Sequence, residues 1–231
     1  MTDDRQRQAI LAIDTATSRA LVAIGRLDGV IEGQTTWLVG YRHGETLLPT
    51  IERFLGEQGV LRWGLAGIVA GTGPGAFTGL RVGLATAKGL GHGLGIPLVG
   101  VPTAAALLHA AGPRTVLLQP AGPRDRVLSR PGMAPQLLRG DTEPDLLQGE
   151  TLVAVDLDGR AADPALALGA AAWEGLAAAL IELGAERLRA LADAAPSDRR
   201  GELETLVPEY VTLPRGVAAS SGEVSWSRDP R

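Results

Sequence analysis

Asp14, Thr15, Thr17 and Ser18 close a short apolar run, and an acid followed by hydroxyls at the end of a strand has a restricted chemistry. Hydroxyls and turn amides that face one point can cradle a phosphate or hold a hydrated Mg²⁺. The same residues also settle turns simply by bonding their own backbone. A second candidate is the glycine turn GTGPGA, Gly71 to Ala76. It formally satisfies the dinucleotide fingerprint G-x-G-x-x-A, but that chemistry needs an acidic residue about 20 positions on to hold the ribose. No Asp or Glu occurs between Glu57 and Asp125. The phosphate-loop pattern fails as well, because no GK[ST] closes the turn and the only lysine, Lys88, lies well inside the helix that follows. His43, His92 and His109 include no i,i+3 or i,i+4 pair, so a helical two-histidine metal motif cannot be built.

The elements that must position these groups read as α/β. Leu65 to Ala70 is a buried strand, β-branched at Ile68 and Val69, and the glycine turn lets the backbone bend hard with Pro74 stiffening it. A helix is expected from about Thr78, as N-cap, to about Gly93, then a strand from Ile96 to Val101: a βαβ unit. Gly79, Gly83, Ala87, Gly91 and Gly95 recur every four residues along this helix. Each glycine costs about 1 kcal/mol of helix stability relative to Ala, so close backbone approach is the expected return, to the protein's own sheet or to a partner helix. Ala9 to Ala12 and Ala20 to Gly25 read as a hairpin around the polar turn, with a third strand at Ile31 to Val39. HGETLLPTIERFLGEQG then places Leu47, Leu48, Ile51, Phe54 and Leu55 on one helical stripe, with Pro49 starting or kinking it. Further on come a helix at Thr103 to Ala111, a strand at Thr115 to Gln119, edge strands and loops over 121–150, a strand at Thr151 to Asp156, and a helical stretch from Asp163 to Ala195 broken near Gly184. Leu206 to Leu213 is extended, and residues 217–231 form a tail without apolar period.

Composition narrows the class. In 231 residues 45% are apolar and the net charge is −4, which gives no general drive toward nucleic acid. The absence of cysteine excludes disulfides and thiolate metal sites. No run of 18 apolar residues exists and the charged start MTDDRQRQ carries no signal-peptide core, so the expected location is the cytoplasm, with no membrane contact. One lysine against 21 arginines resembles the codon bias of a GC-rich bacterial genome. Arg62, Arg81, Lys88, Arg114 and Arg124 lie without interleaved aromatics in a chain only 3% aromatic, which reads as a solvated face and not a nucleic-acid surface.

Asp14-Thr15, RHGETLLP, GTGPGAFTGLRVGLATAKGL, GIPLVGVPT and the late PEYV together resemble the bacterial TsaB (YeaZ) family, closely over about the first 105 residues. The resemblance implies an actin-like ATPase (ribonuclease H-like) fold of two lobes, the second abbreviated: 1–104 as the first lobe, 105–195 as a divergent second, and 196–216 as a closing segment returning toward the first. It further implies a non-catalytic partner subunit, a pseudoenzyme, that supports the catalytic relative TsaD in transferring threonylcarbamoyl to the adenosine beside the anticodon of tRNA. The ATPase TsaE would be a further partner, a homodimer would form in the absence of TsaD, and tRNA would be met only through the complex. Where TsaD carries its His-x-x-x-His metal pair, this chain has Thr103 and Leu107, so no cofactor is expected here, and ATP and metal belong to the catalytic partner. The partner interface is expected at Arg42, His43, Leu47, Leu48, Ile51, Gly73, Pro74, Phe77, Thr78, Leu80, Arg81, Gly83 and Ala87, with Gly83→Leu abolishing binding while the lobe stays folded. Asp14 and Thr15 are left as a residual nucleotide site. The alternatives are an autonomous ATP-dependent kinase of the same superfamily, which would use Asp14 and, as its second phosphate loop after a strand, Asp156-Leu157-Asp158-Gly159, and a metallopeptidase.

Overall fold

In the computed structural model, residues 9–38, 43–192 and 200–211 are described. Apolar runs separated by polar turns give an antiparallel meander of β1 (Ala9–Asp14), β2 (Arg19–Arg26) and β3 (Ile31–Leu38). β4 (Leu65–Gly71) joins β1 in parallel, and β5 (Leu98–Val101) joins β4, so the order is β3-β2-β1-β4-β5. β1 is buried along its whole length, whereas β3 alternates half-buried and exposed residues, as an edge strand with one wet face does. α1 (His43–Glu57) and α2 (Phe77–Leu94) cover one face through Leu47, Ile51, Phe54, Leu55, Leu84 and Ala87. α3 (Thr103–Ala111) and α5 (Leu176–Ala192) cover the other.

A second sheet repeats this order and stops one strand short. β6 (Thr115–Pro120), β7 (Arg126–Ser129), β8 (Gln136–Leu138) and β9 (Thr151–Ala154) run β8-β7-β6-β9, with β6 and β9 parallel. α4 (Asp163–Glu174) packs outside it over Val116, Leu118, Leu128 and Ala154, while Leu117 and Val153 turn inward to the core shared with α3 and α5. The fold is α/β with two lobes, the second abbreviated.

Several boundaries differ from the sequence expectation. α2 starts at Phe77, with Ala76 at the N-cap position and no side-chain cap, so Thr78 does not cap it. Gly95 adopts φ +66°, the left-handed conformation that ends the helix, and its N–H donates to Gly91 O; it is a terminator and not a packing position. Pro49 lies within α1, which begins at His43. The break in the long helical stretch falls at Gly175, between α4 and α5, which meet at 51°. Gly184 instead lies mid-helix, where a Cβ would collide with Val69, and so lets α5 rest directly on β4. For that reason the limits 105–195 do not describe a separate unit: α5 runs across all five strands of the first sheet.

Residues 200–211 form a strap on the first lobe. Leu98 N–H donates to Arg200 O at 3.3 Å and Glu202 N–H to Leu98 O at 2.8 Å, occupying the outer edge of β5. Leu203 and Leu206 are buried beneath it, and Gly100 is bare because a Cβ there would strike Leu206. The expected extended segment from Leu206 is described only to Val211, and the tail at 217–231 lies outside the described residues.

Candidate functional site

Side chains alternate along β1, so Asp14 faces α3 while Ile13 faces α1 and α2. Asp14 is 1% exposed. Its Oδ1 accepts from Ala16 N–H at 2.9 Å and its Oδ2 from Thr103 Oγ1 at 2.6 Å, while Thr103 Oγ1 accepts from Gly73 N–H at 3.1 Å. Desolvation lifts its pKa from 3.8 to about 6, against the lowering effect of the Thr103 and Ala16 bonds. Gly71 leaves the room it needs, since a Cβ at that position would overlap the carboxylate. Thr15, 2% exposed, points the other way and donates to Gly79 O at 2.7 Å. A nucleotide phosphate or its Mg²⁺ does not fit here: both Asp14 oxygens and the Thr15 hydroxyl are committed to the chain, and neither residue reaches an open surface. The residual nucleotide site expected at Asp14 and Thr15 is thus a structural knot binding the first hairpin to α2 and α3.

Open space lies just beyond, in an interlobe cleft of about 570 Å³ lined by Ala16 to Ser18, Pro74 to Phe77, Pro120 to Gly122, Asp156 and Tyr210. Across it Asp156 accepts from Ser18 N–H at 2.6 Å and from Ser18 Oγ at 2.5 Å. Trp173 Nε1 donates to Thr17 Oγ1 at 3.1 Å, and the Arg19 guanidinium lies 3.7 Å above the Trp173 ring. Asp158, the other acid of the candidate second phosphate loop, is exposed. Among the described residues no three His, Asp or Glu side chains converge so as to hold a metal ion. The Asp156 and Trp173 contacts were not legible beforehand, because they join residues 138 and 156 positions apart.

The expected interface residues divide by burial. Leu47, Ile51, Leu80 and Ala87 are 1% exposed or less and belong to the protein's own core, and Gly73, Pro74 and Gly83 are buried. A Cβ at Gly83 would overlap Thr15 Oγ1, and one at Gly91 would stand 2.6 Å from Leu203 Cδ1. The small-residue row therefore seats α2 on the hairpin turn and the strap, and Gly83→Leu is a fold-breaking change, not a probe of a partner. Leu48, 44% exposed, leaves the expected stripe for solvent. Thr78 and Arg81 are exposed and Phe77 half-buried; Arg81 stacks 3.8 Å over the Phe77 ring and donates from Nε to the Tyr210 hydroxyl at 3.1 Å. His43 opens α1, and Arg42 lies outside the described residues. What the sequence reading missed is a second row on the opposite side of α2, Arg81, Ala85, Gly89 and Gly93, all exposed; a Cβ at Gly89 or Gly93 meets nothing within 4 Å. Counting in fours from Arg81 instead of Gly79 would have found it.

Residues 38–129 match the family model of the tRNA N6-adenosine threonylcarbamoyltransferase TsaD. The chain is 39% identical over 112 residues to an uncharacterized protein of Mycobacterium tuberculosis, covering 48% of this chain and 51% of that one. It is 35% identical over 102 residues to the tRNA threonylcarbamoyladenosine biosynthesis protein TsaB of Escherichia coli, covering 44% and 43%. The chain thus spans about half the length of the curated relatives it matches. A crystal structure of an uncharacterized Pseudomonas aeruginosa protein with similarity to peptidase YeaZ superposes on 89% of this chain and all of its own, with TM-score 0.58 and 20% identity, which is a likeness of fold. With the glycine turn, the repeated strand order and these likenesses in hand, the chain is similar to TsaB (YeaZ) proteins over about its first half and shares the two-sheet α/β fold of its YeaZ-like neighbour.

Proposed function

We propose that this chain is the partner subunit of a TsaD-type threonylcarbamoyltransferase in the biosynthesis of tRNA threonylcarbamoyladenosine, and performs no chemistry of its own. The observation that carries this reading is the outward face of α2. Arg81, Ala85, Gly89 and Gly93 form an exposed row of mostly small residues beside α1, which presents Leu48 to solvent. Exposed glycines cost the monomer helix stability without repaying it inside the fold, and a bare ridge of this kind allows another helix pair to approach closely. Arg81 at one end supplies the type of residue that anchors interfaces. The sealed state of Asp14 supports the non-catalytic half of the proposal, since its oxygens are satisfied internally.

On this reading the catalytic partner brings the metal and ATP, TsaE joins the same assembly, tRNA is met only through the complex, and the same ridge pairs two copies in a homodimer when TsaD is absent. The setting is the bacterial cytoplasm. Co-purification with the host's TsaD, followed by tRNA modification assays with and without the chain, tests the proposal. Gly89→Arg should leave the melting temperature within a few degrees of wild type while weakening TsaD binding at least about a hundredfold. Unchanged binding by Gly89→Arg would remove α2 from the interface, and full modification without the chain would remove the function.

A further inference from the structure

A second cavity, of about 630 Å³, lies along α3 and has no part in the α2 ridge. One wall is α3 itself, through Pro102, Ala105 and Leu108, and the other is the chain that follows β7, through Pro131, Met133 and Pro135. Between them Ser129, 4% exposed, ends β7 opposite Leu117, on the strand face that turns toward α3. Its Oγ is buried and has no hydrogen-bond partner among the described residues. Such a hydroxyl costs the free protein stability that a polar atom of a ligand would return. Arg130 and Glu209 are the charged carboxylate and guanidinium groups of the lining, and they differ in how they are matched. Arg130 Nε and Nη2 donate to the two Glu150 oxygens at 2.8 and 3.0 Å, and Nη2 also donates to Asp145 O at 2.5 Å. That clamp neutralises the cation and fixes the wall after β7. His109 is likewise taken, its Nε2 lying 3.0 Å from Glu182 Oε2. Glu209 Oε1 accepts from Thr72 Oγ1 at 2.9 Å, but its Oε2 has no partner among the described residues. The cavity is therefore apolar along its walls, with one orphan hydroxyl and one uncompensated negative charge.

We propose that this cavity binds a small molecule built from an apolar ring and a protonated amine. The ring lies between α3 and the chain after β7, a polar atom of it meets the Ser129 hydroxyl, and the ammonium donates to the free Glu209 oxygen. The volume is that of a small-molecule site, and apolar walls with a few convergent polar groups are the usual composition of one. An ammonium gains a charge-assisted hydrogen bond at Glu209, whereas a carboxylate in the same place is repelled. No residue of α2 lines the cavity, so its failure leaves the partner reading untouched.

Tryptamine, indole and indole-3-acetate share one ring and differ in charge, so the test is titration of the full chain with each, followed by the backbone amide shifts of Ala105 and Ser129. Tryptamine should saturate both shifts and bind at least about tenfold more tightly than indole, with indole-3-acetate weaker than either. Glu209→Gln keeps an oxygen for Thr72 and loses the charge, and should bring tryptamine down to the level of indole. Ser129→Ala should weaken tryptamine and indole alike by about threefold or more, while the unliganded variant melts no lower than wild type because an unpartnered hydroxyl has gone. A melting temperature lowered by Ser129→Ala would show the hydroxyl to be satisfied within the fold and would overturn the proposal. So would the absence of a saturable shift at millimolar tryptamine, indole-3-acetate binding as tightly as tryptamine, or tryptamine affinity unchanged in Glu209→Gln.

Discussion

The two sides of α2 carry the same kinds of residue at the same spacing and do opposite things. Inward, Gly79, Gly83, Ala87 and Gly91 are buried; the hairpin turn reaches Gly79 O through Thr15, and Leu203 of the strap lies against Gly91. Outward, Ala85, Gly89 and Gly93 are exposed and a side chain at either glycine would enter open space. Glycine inside is explained by a steric demand that the fold itself makes. Glycine outside is not, and an unexplained helix penalty of about 1 kcal/mol per residue marks a surface shaped for something beyond the monomer. The contrast also corrects an inference from pattern alone, because a four-residue period locates small rows without saying which row faces water.

The sharpest way to break the contrast is Gly83→Leu. Four added carbons, the first already overlapping Thr15 Oγ1, would have to displace Thr15 and its bond to Gly79 O, so the lobe should lose about 3 kcal/mol or more in denaturant unfolding. A folded variant of wild-type stability would show that α2 is not held against the hairpin turn. Next in size is the pH dependence at Asp14. Its pKa is raised in the fold, from 3.8 to about 6, so the folded chain holds the proton more tightly than the unfolded one across that window. Stability fully present below pH 3.8 is then lost as pH rises toward 6 and changes no further above it, a difference of about 3 kcal/mol that Asp14→Asn should lack. Equal slopes for wild type and Asp14→Asn between pH 4 and 6 would show the carboxyl to be hydrated.

Much of the first lobe was legible because its signals are local. Continuous apolar runs ended by Gly or Asp gave β1, β2 and β4, and the helical spacing of Leu47, Ile51, Phe54 and Leu55 gave the buried stripe of α1. The same locality explains the errors. Leu48 belongs to the stripe by spacing yet lies beyond its buried arc, and Gly184 reads as a helix breaker until β4 is placed against it. The site was half legible: Asp14 and its hydroxyl neighbours are conspicuous in sequence, but their confinement depends on Thr103, and the closure of the cleft on Asp156 and Trp173, all distant in the chain.

Two single-methyl changes sharpen the comparison at the level of a helix turn. Gly91→Ala places a Cβ 2.6 Å from Leu203 Cδ1, the far end of a flexible side chain. The gain in helix propensity and the cost of moving Leu203 then oppose each other, and the strap should loosen with a net loss of about 1 kcal/mol. Gly89→Ala faces no such opposition, since nothing lies within 4 Å of the new Cβ. Replacing an exposed mid-helix glycine restricts the unfolded chain and covers backbone, so the monomer should gain about 0.5–1 kcal/mol. Thermal unfolding of both variants under one buffer decides the matter: opposite signs fix the inward and outward faces of α2, whereas a loss at Gly89 would place that residue against the chain's own structure and close off the ridge as a surface for a partner.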